Sequence, residues 1–277
     1  MVRIITDSAA DFEPVELAKM DITCIPLTVM FGEREYQENV TLTKDGFYDL
    51  LLSSPEGPKT AQASPQVLLD LFEETAAGED EAIYITLSSA LSGTYQNACM
   101  TRDTVGCSRC HVLDSRNATG GQRMIVEYAV KLRDEGKSAA EILQALEAMR
   151  ERIVLYACID TLKYLYQGGR ISHTVYKLGT LANIKPIINV DPEGRVVIPA
   201  KAMGMRKGMD YQCKQVEARA PDYSFPFYVM YTNNRSVAET LAQRLQEQGV
   251  KIKDIIQVGA AIGSHVGPDA CGLVYVN

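Results

Sequence analysis

Ala82-Ile83-Tyr84-Ile85-Thr86-Leu87 runs directly into Ser88-Ser89-Ala90-Leu91-Ser92-Gly93, and a helical stretch follows to about Thr104. An apolar run of that length, bounded by small turn-forming residues, predicts a buried strand. Ser92-Gly93 then predicts a helix start. The same unit recurs on both sides. Upstream, Arg3 to Thr6 and Cys24 to Val29 read as strands, and Thr43 opens a short helix to about Leu52. Ser53 to Thr60 is a turn-rich loop. Ser64-Pro65 supplies an N-cap and a first-turn proline for another helix. Downstream come a strand at His111 to Leu113, helices over Gly120 to Asp134 and Ser138 to Arg152, and a strand at Ile153 to Cys158. Strands alternating with helices predict an α/β fold, Rossmann-like, with a mainly parallel sheet flanked by helices on both faces.

The later chain reads differently. Lys185 to Val190 and Arg195 to Ala200 flank Asp191-Pro192-Glu193-Gly194. Two strands about such a turn predict a hairpin, which is antiparallel. A helix over Arg206 to Arg219 follows, then strand Phe227 to Tyr231, helix Ser236 to Gln248, and strands Ile255 to Val258 and Leu273 to Val276. The expectation is a C-terminal α+β domain with a mixed or antiparallel sheet. At about 100–200 residues per domain, the 277 residues divide into an N-terminal domain over 1–160 and a C-terminal domain over 161–277.

Lys and Arg number 28 against 35 Asp and Glu, a net charge of −7, which argues against a nucleic-acid partner because counterion release needs a basic face. The 46% hydrophobic content excludes wholesale disorder. No apolar run reaches the roughly 18 residues of a membrane span. Met1 to Asp7 enters a strand pattern at once, without a signal-peptide core, so a cytoplasmic location is expected. Seven scattered cysteines fit reduced thiols better than a disulfide framework.

Several stretches are candidates for chemistry. Cys107-Ser108-Arg109-Cys110-His111 matches a haem-attachment pattern, but haem c requires export, so a turn leading into a buried strand is the expected reading. No cofactor or metal is expected. Leu87 to Tyr95 joins a strand to a helix start, where free N–H groups and small hydroxyls suit an anion; N-capping by Ser92 explains the same residues equally well. Thr6-Asp7-Ser8-Ala9-Ala10-Asp11 has a similar placement but lacks G-x-G-x-x-G, and no phosphate loop is present. Neither serine stretch is G-x-S-x-G. Gly263-Ser264-His265-Val266-Gly267-Pro268 reads as a Gly- and Pro-rich loop after a strand, where binding residues concentrate. Gly168-Gly169-Arg170-Ile171-Ser172 stands between two helices, with Arg170 either a cap or an exposed contact.

Taken in order, Ile5 to Ser8, Leu87 to Tyr95, Gly168 to Ser172, Ile184-Lys185-Pro186-Ile187-Ile188 and Gly263 to Pro268 resemble the DegV family across essentially the whole chain. The resemblance implies a non-catalytic, two-domain carrier that holds one long-chain fatty acid between its domains. It implies presentation of the carboxylate to a separate ATP-dependent fatty acid kinase, which makes acyl phosphate for phospholipid synthesis, with transient membrane contact for lipid exchange. The carboxylate ligands implied are Thr60, Ser92 with Gly93, and His265; Arg170 is the implied kinase contact. Departures from the family pattern fall at Ala9, Ala61, Ala63, His173 and Val266 and leave those ligands in place. The competing reading is a Ser/His hydrolase or acyltransferase, with Ser92 as nucleophile and His265 as base.

Overall fold

The computed structural model describes residues 1–177 and 183–277, and the chain is α/β. Its first unit begins with β1 (Val2–Asp7), a single 3-10 turn, α1 (Pro14–Met20) and β2 (Ile22–Ile25). A small antiparallel sheet comes next, from β3 (Thr28–Phe31), β4 (Arg34–Gln37) and, after α2 (Lys44–Ser53), β5 (Lys59–Ala61). Then follow α3 (Pro65–Ala77), β6 (Glu81–Thr86), α4 (Thr94–Val105), β7 (Cys110–Asp114), α5 (Thr119–Asp134) and α6 (Ala139–Arg150). β2, β1, β6 and β7 form a four-stranded, all-parallel sheet in that order. Alternate side chains of these strands serve two cores, as the strand period of two dictates. Ile4, Ile83 and Ile85 pack on Ile125 and Leu146 of α5 and α6. Ile5 and Tyr84 pack on Leu68, Phe72 and Ala98 of α3 and α4.

The second unit contains β8 (Ile153–Cys158), α7 (Lys163–Gln167), α8 (His173–Lys177), β9 (Ile184–Val190), β10 (Val196–Met203), α9 (Gly204–Ala218), β11 (Tyr228–Tyr231), α10 (Arg235–Glu247), β12 (Asp254–Gln257), α11 (Ala260–Val266) and β13 (Cys271–Val276). Six strands form one mixed sheet in the order β10-β9-β8-β13-β11-β12. Only the β11–β12 pair among them is parallel. One face packs on α9 and α10 through Tyr156, Val229 and Leu273. The other receives Met124 of α5 against Met230 and Val274.

Four expectations are corrected. Ile153–Cys158, read as a parallel strand of the first unit, lies antiparallel in the second sheet, so sheet membership changes between α6 and β8 rather than after residue 160. Cys24 to Val29 is two strands in two sheets, split at Pro26, which has no N–H for a ladder. Gly263 to Val266 is not a loop but the end of α11. Cys107 and Cys110 are bridged, because the turn between α4 and β7 brings their Cα atoms to 5.4 Å, while the other five cysteines are free thiols.

Candidate functional site

A cavity opens between the parallel sheet and the mixed sheet, with about 1000 Å³ of atom-free space including its open mouth. Most of its wall is apolar: Leu27 and Leu87 on one side, Leu155, Ile188, Met230 and Val258 on the other. Thr60, Ser92, His265 and Arg170 all face this one space, although more than two hundred residues separate the first from the third. Gly93 does not line it. A Cβ there would meet Gln62 Oε1 at 3.2 Å, so the glycine admits the Gln62 side chain at the rim.

The loop carrying Ser92 is pinned from three sides. Asp7 Oδ2 accepts the Leu87 N–H at 2.8 Å, and Asp114 Oδ1 accepts the Ser89 N–H at 3.1 Å. Ser88 donates its hydroxyl to Gly194 O at 2.8 Å, tying the β9–β10 hairpin to the same loop. Ser92 Oγ then accepts the Thr94 N–H at 3.3 Å and lies 2.9 Å from Thr94 Oγ1, at the positive end of α4. Burial lifts the Asp7 carboxyl to about 6, against the pull of its hydrogen bonds to Leu87, Gln122 and Ala9.

Thr60 stands in the middle of β5, opposite Val29. Its Oγ1 lies 3.0 Å from Nε2 of His265, in the last turn of α11. The opposite ring edge rests on Gly168, where a Cβ would come within 2.0 Å of Nδ1. Nδ1 is buried without a hydrogen-bond partner. A bare lone pair tolerates a Cα–H neighbour better than an N–H does, so we assign the Nε2–H tautomer. Nε2–H then donates to Thr60 and leaves the threonine O–H free to donate into the cavity. Burial first, and the charge of Arg170 second, bring the His265 imidazole down to about 4, so it is neutral near pH 7.

Of the two readings of Arg170, a cap or an exposed contact, its hydrogen bonds to main-chain oxygens fit the cap. It is half-buried, donates Nε–H to Leu91 O at 2.9 Å and Nη1–H to Gly168 O, and joins the cavity to an outer groove containing Arg195 and Lys201. Desolvation lowers its pKa from the ordinary arginine value.

Thr119 escaped the sequence reading. It lines the cavity at the first position of α5 with φ +47°, a left-handed conformation that strains a β-branched residue by about 1–3 kcal/mol. Its hydroxyl donates to Asp11 Oδ2. Nothing in its local sequence signals either fact.

Ser92 and His265 do not form a nucleophile–base pair here: each hydroxyl or imidazole contact runs to a threonine instead. Among the described residues no group of three or more His, Cys, Asp or Glu is arranged to hold a metal, and no helix is long and apolar enough to cross a membrane. His111 bonds Glu81 at 3.0 Å at the sheet edge.

Comparison with known proteins bears on this geometry. The DegV family profile, described as uncharacterised proteins, matches residues 1–277. The DegV domain-containing protein YteA of Lactococcus lactis is 33% identical over 273 residues, covering 96% of this chain and 94% of its own. A DegV family protein from Thermus thermophilus, described for its fatty acid binding, superposes with a TM-score of 0.89 at 27% identity, over 100% of this chain and 99% of that one. DegV of Bacillus subtilis, described as a fatty acid binding protein, gives 0.87 at 28% identity over 99% and 98%. On the profile match and the identity to YteA, the chain belongs to the DegV family.

Proposed function

We propose that this chain binds one long-chain fatty acid, with the acyl tail in the apolar cavity and the carboxylate at Thr60, Ser92 and His265. The observation that carries the reading is the Thr60–His265 contact at 3.0 Å in an otherwise apolar wall. A buried carboxylate needs donors. The Ser92 hydroxyl and the Thr60 hydroxyl, which the Nε2–H of neutral His265 turns toward the cavity, supply them without a bidentate arginine clamp, which would occupy both oxygens. About 0.8 kcal/mol per buried CH₂ makes a tail of roughly 14 methylenes worth on the order of 10 kcal/mol. The fatty-acid binding described for the relatives from T. thermophilus and B. subtilis supports the same reading.

In this reading the protein is a carrier without catalysis of its own. A separate ATP-dependent kinase phosphorylates the exposed carboxylate oxygen, supplying acyl phosphate to phospholipid synthesis. Arg170 stands at the mouth where that partner approaches, and loading takes place by transient contact with a membrane from the cytoplasmic side. Native mass spectrometry of freshly purified protein tests the binding step: the expected result is a stoichiometric adduct with the mass of a fatty acid of roughly 14–18 carbons. Protein that is ligand-free and also fails to take up palmitate or oleate would remove the carrier reading. Turnover of a chromogenic acyl ester abolished by Ser92→Ala would instead support the hydrolase.

A further inference from the structure

The helix that carries His265 is held at its other end by two buried acids. α11 has seven residues and begins after Gly259, whose side chain offers no cap. Asp11 Oδ1 accepts the Gly259 N–H at 2.8 Å, and Glu38 Oε1 accepts the Ala261 N–H at 3.1 Å. Both side chains are about 1% exposed. A Cβ at Gly259 would sit 2.2 Å from Glu38 Oε1 and 2.9 Å from Asp11 Oδ1, so the carboxylates meet across this glycine.

We propose that Asp11 and Glu38 are positioning residues that fix the first turn of α11 and thereby set where His265 presents Nε2–H to Thr60, whose hydroxyl then meets the ligand carboxylate. The proposal rests on the reading that Thr60 and His265 together hold that carboxylate. A two-turn helix has little stability of its own, so its end contacts decide its placement. Two acids suit the partial positive charge of a helix start. They are an expensive way to fill a core, since apolar residues of the same size would avoid the desolvation. The Ser8 hydroxyl lies by the Glu38 carboxyl, yet Oε2 is buried without a hydrogen bond of good geometry, so the pair is not explained as a saturated polar network.

The surroundings do not neutralise the pair by direct ion pairing. Lys44 of α2 donates to the main-chain oxygen of Asp11 at 2.8 Å and pairs with Glu13 at 2.7 Å. Arg123 of α5 reaches the same main-chain oxygen at 3.4 Å and pairs with Glu16 and Glu127. Asp7 and Cys24 of the parallel sheet, and Tyr48 of α2, add no positive charge. Burial raises Asp11 to about 6 and Glu38 to about 7, so one proton stays on the pair in mildly acidic solution. Thr119 links Asp11 to the cavity wall.

The test measures displacement of a fluorescent long-chain fatty acid from the full-length protein between about pH 6 and pH 8.5, together with the His265 imidazole ¹H–¹³C resonances. Glu38→Ala is expected to lower affinity at least about tenfold and to shift those resonances, with Glu38→Gln rescuing both, because glutamine keeps the oxygen acceptor and mimics the protonated acid. Wild type is expected to lose affinity as pH rises through about 7, and Glu38→Gln to flatten that loss. In a His265→Ala background Glu38→Ala should have no further effect on binding. Unmoved His265 resonances in Glu38→Ala, or an equal loss in the His265→Ala background, would overturn the proposal. Wild-type affinity in His265→Ala would instead overturn the ligand reading, and the resonance shift still decides the positioning claim. Should Glu38→Ala fail to fold by circular dichroism, the pH profile of Glu38→Gln decides.

Discussion

Gly168→Ala should weaken fatty-acid binding without touching a ligand contact. Gly168 closes α7 with φ −75° and ψ −8°, a helical conformation that alanine adopts freely, so the backbone itself resists nothing. The new methyl would lie 2.0 Å from His265 Nδ1 and 2.6 Å from Cε1, where ordinary contact begins at 3.4 Å. The imidazole must therefore withdraw by about 1.4 Å. Thr60, 3.0 Å from Nε2 on the far edge, blocks a straight retreat, so the ring swings and Nε2–H leaves its place. A lost hydrogen bond to a charged group is worth about 1.5–3 kcal/mol, or roughly tenfold to a hundredfold in affinity. The assay is fluorescent fatty-acid displacement, with far-UV circular dichroism as the fold control. His265→Ala should show a similar loss, and the Gly168→Ala, His265→Ala double variant no more than His265→Ala alone. Gly168→Ala affinity within roughly threefold of wild type, or additive losses in the double variant, would refute the chain from glycine to imidazole to carboxylate.

Ser92→Ala should also reduce affinity by about tenfold or more with an unchanged circular dichroism spectrum, since it removes one donor at the edge of the core; binding as tight as wild type would place the carboxylate elsewhere. Arg170→Ala should raise the His265 pKa from about 4 while leaving it below its ordinary 6.5, because burial is the larger cause of the depression; an NMR titration of the imidazole reads this, and an unmoved value would mean the guanidinium is screened from the ring. Stability should fall as pH rises. Asp7, Asp11 and Glu38 sit above their ordinary values, so their folded-state protons stabilise below about pH 4 and that contribution is lost through about 6–7, Glu38 alone accounting for on the order of 3 kcal/mol. His265 works oppositely, its contribution being lost as pH falls from 6.5 through about 4. Thermal unfolding from about pH 5 to pH 8 should show a declining midpoint that Glu38→Gln makes shallower, and a midpoint rising over that range would contradict the assignment.

The alternation of strands and helices was legible because each buried strand is a short apolar run between turn residues. What the runs could not say was direction. Ile153–Cys158 is buried on both faces in either orientation, so nothing in its composition distinguishes antiparallel pairing with β13 from parallel pairing with the first sheet. α11 was hidden by Gly263, which reads as a breaker; the structure needs it because a Cβ there would strike Phe47 and Tyr48 at 2.7 Å. Thr60, Ser92 and His265 came from the family resemblance rather than from any local pattern, since they line one cavity only after β5, the loop before α4 and α11 converge. Asp11, Glu38 and Thr119 carry no such motif. Their importance arises from burial across elements far apart in sequence.

α5 belongs to both units at once. Its Gln122 bonds Thr6 and Asp7 at the parallel sheet, while a Cβ on Gly120 would come within 2.6 Å of Val274 and 2.9 Å of Met230 in the mixed sheet. A helix so embedded cannot leave one sheet intact while it melts from the other. The two halves should therefore denature as a single calorimetric transition rather than as two, with the calorimetric and van't Hoff enthalpies in agreement. The same wedge makes a clamshell opening of one sheet away from the other nearly as disruptive as unfolding. A fatty acid bound as proposed would then pass through the rim of the cavity, around the β9–β10 hairpin and the segment bearing Arg170, while the two sheets stay in register.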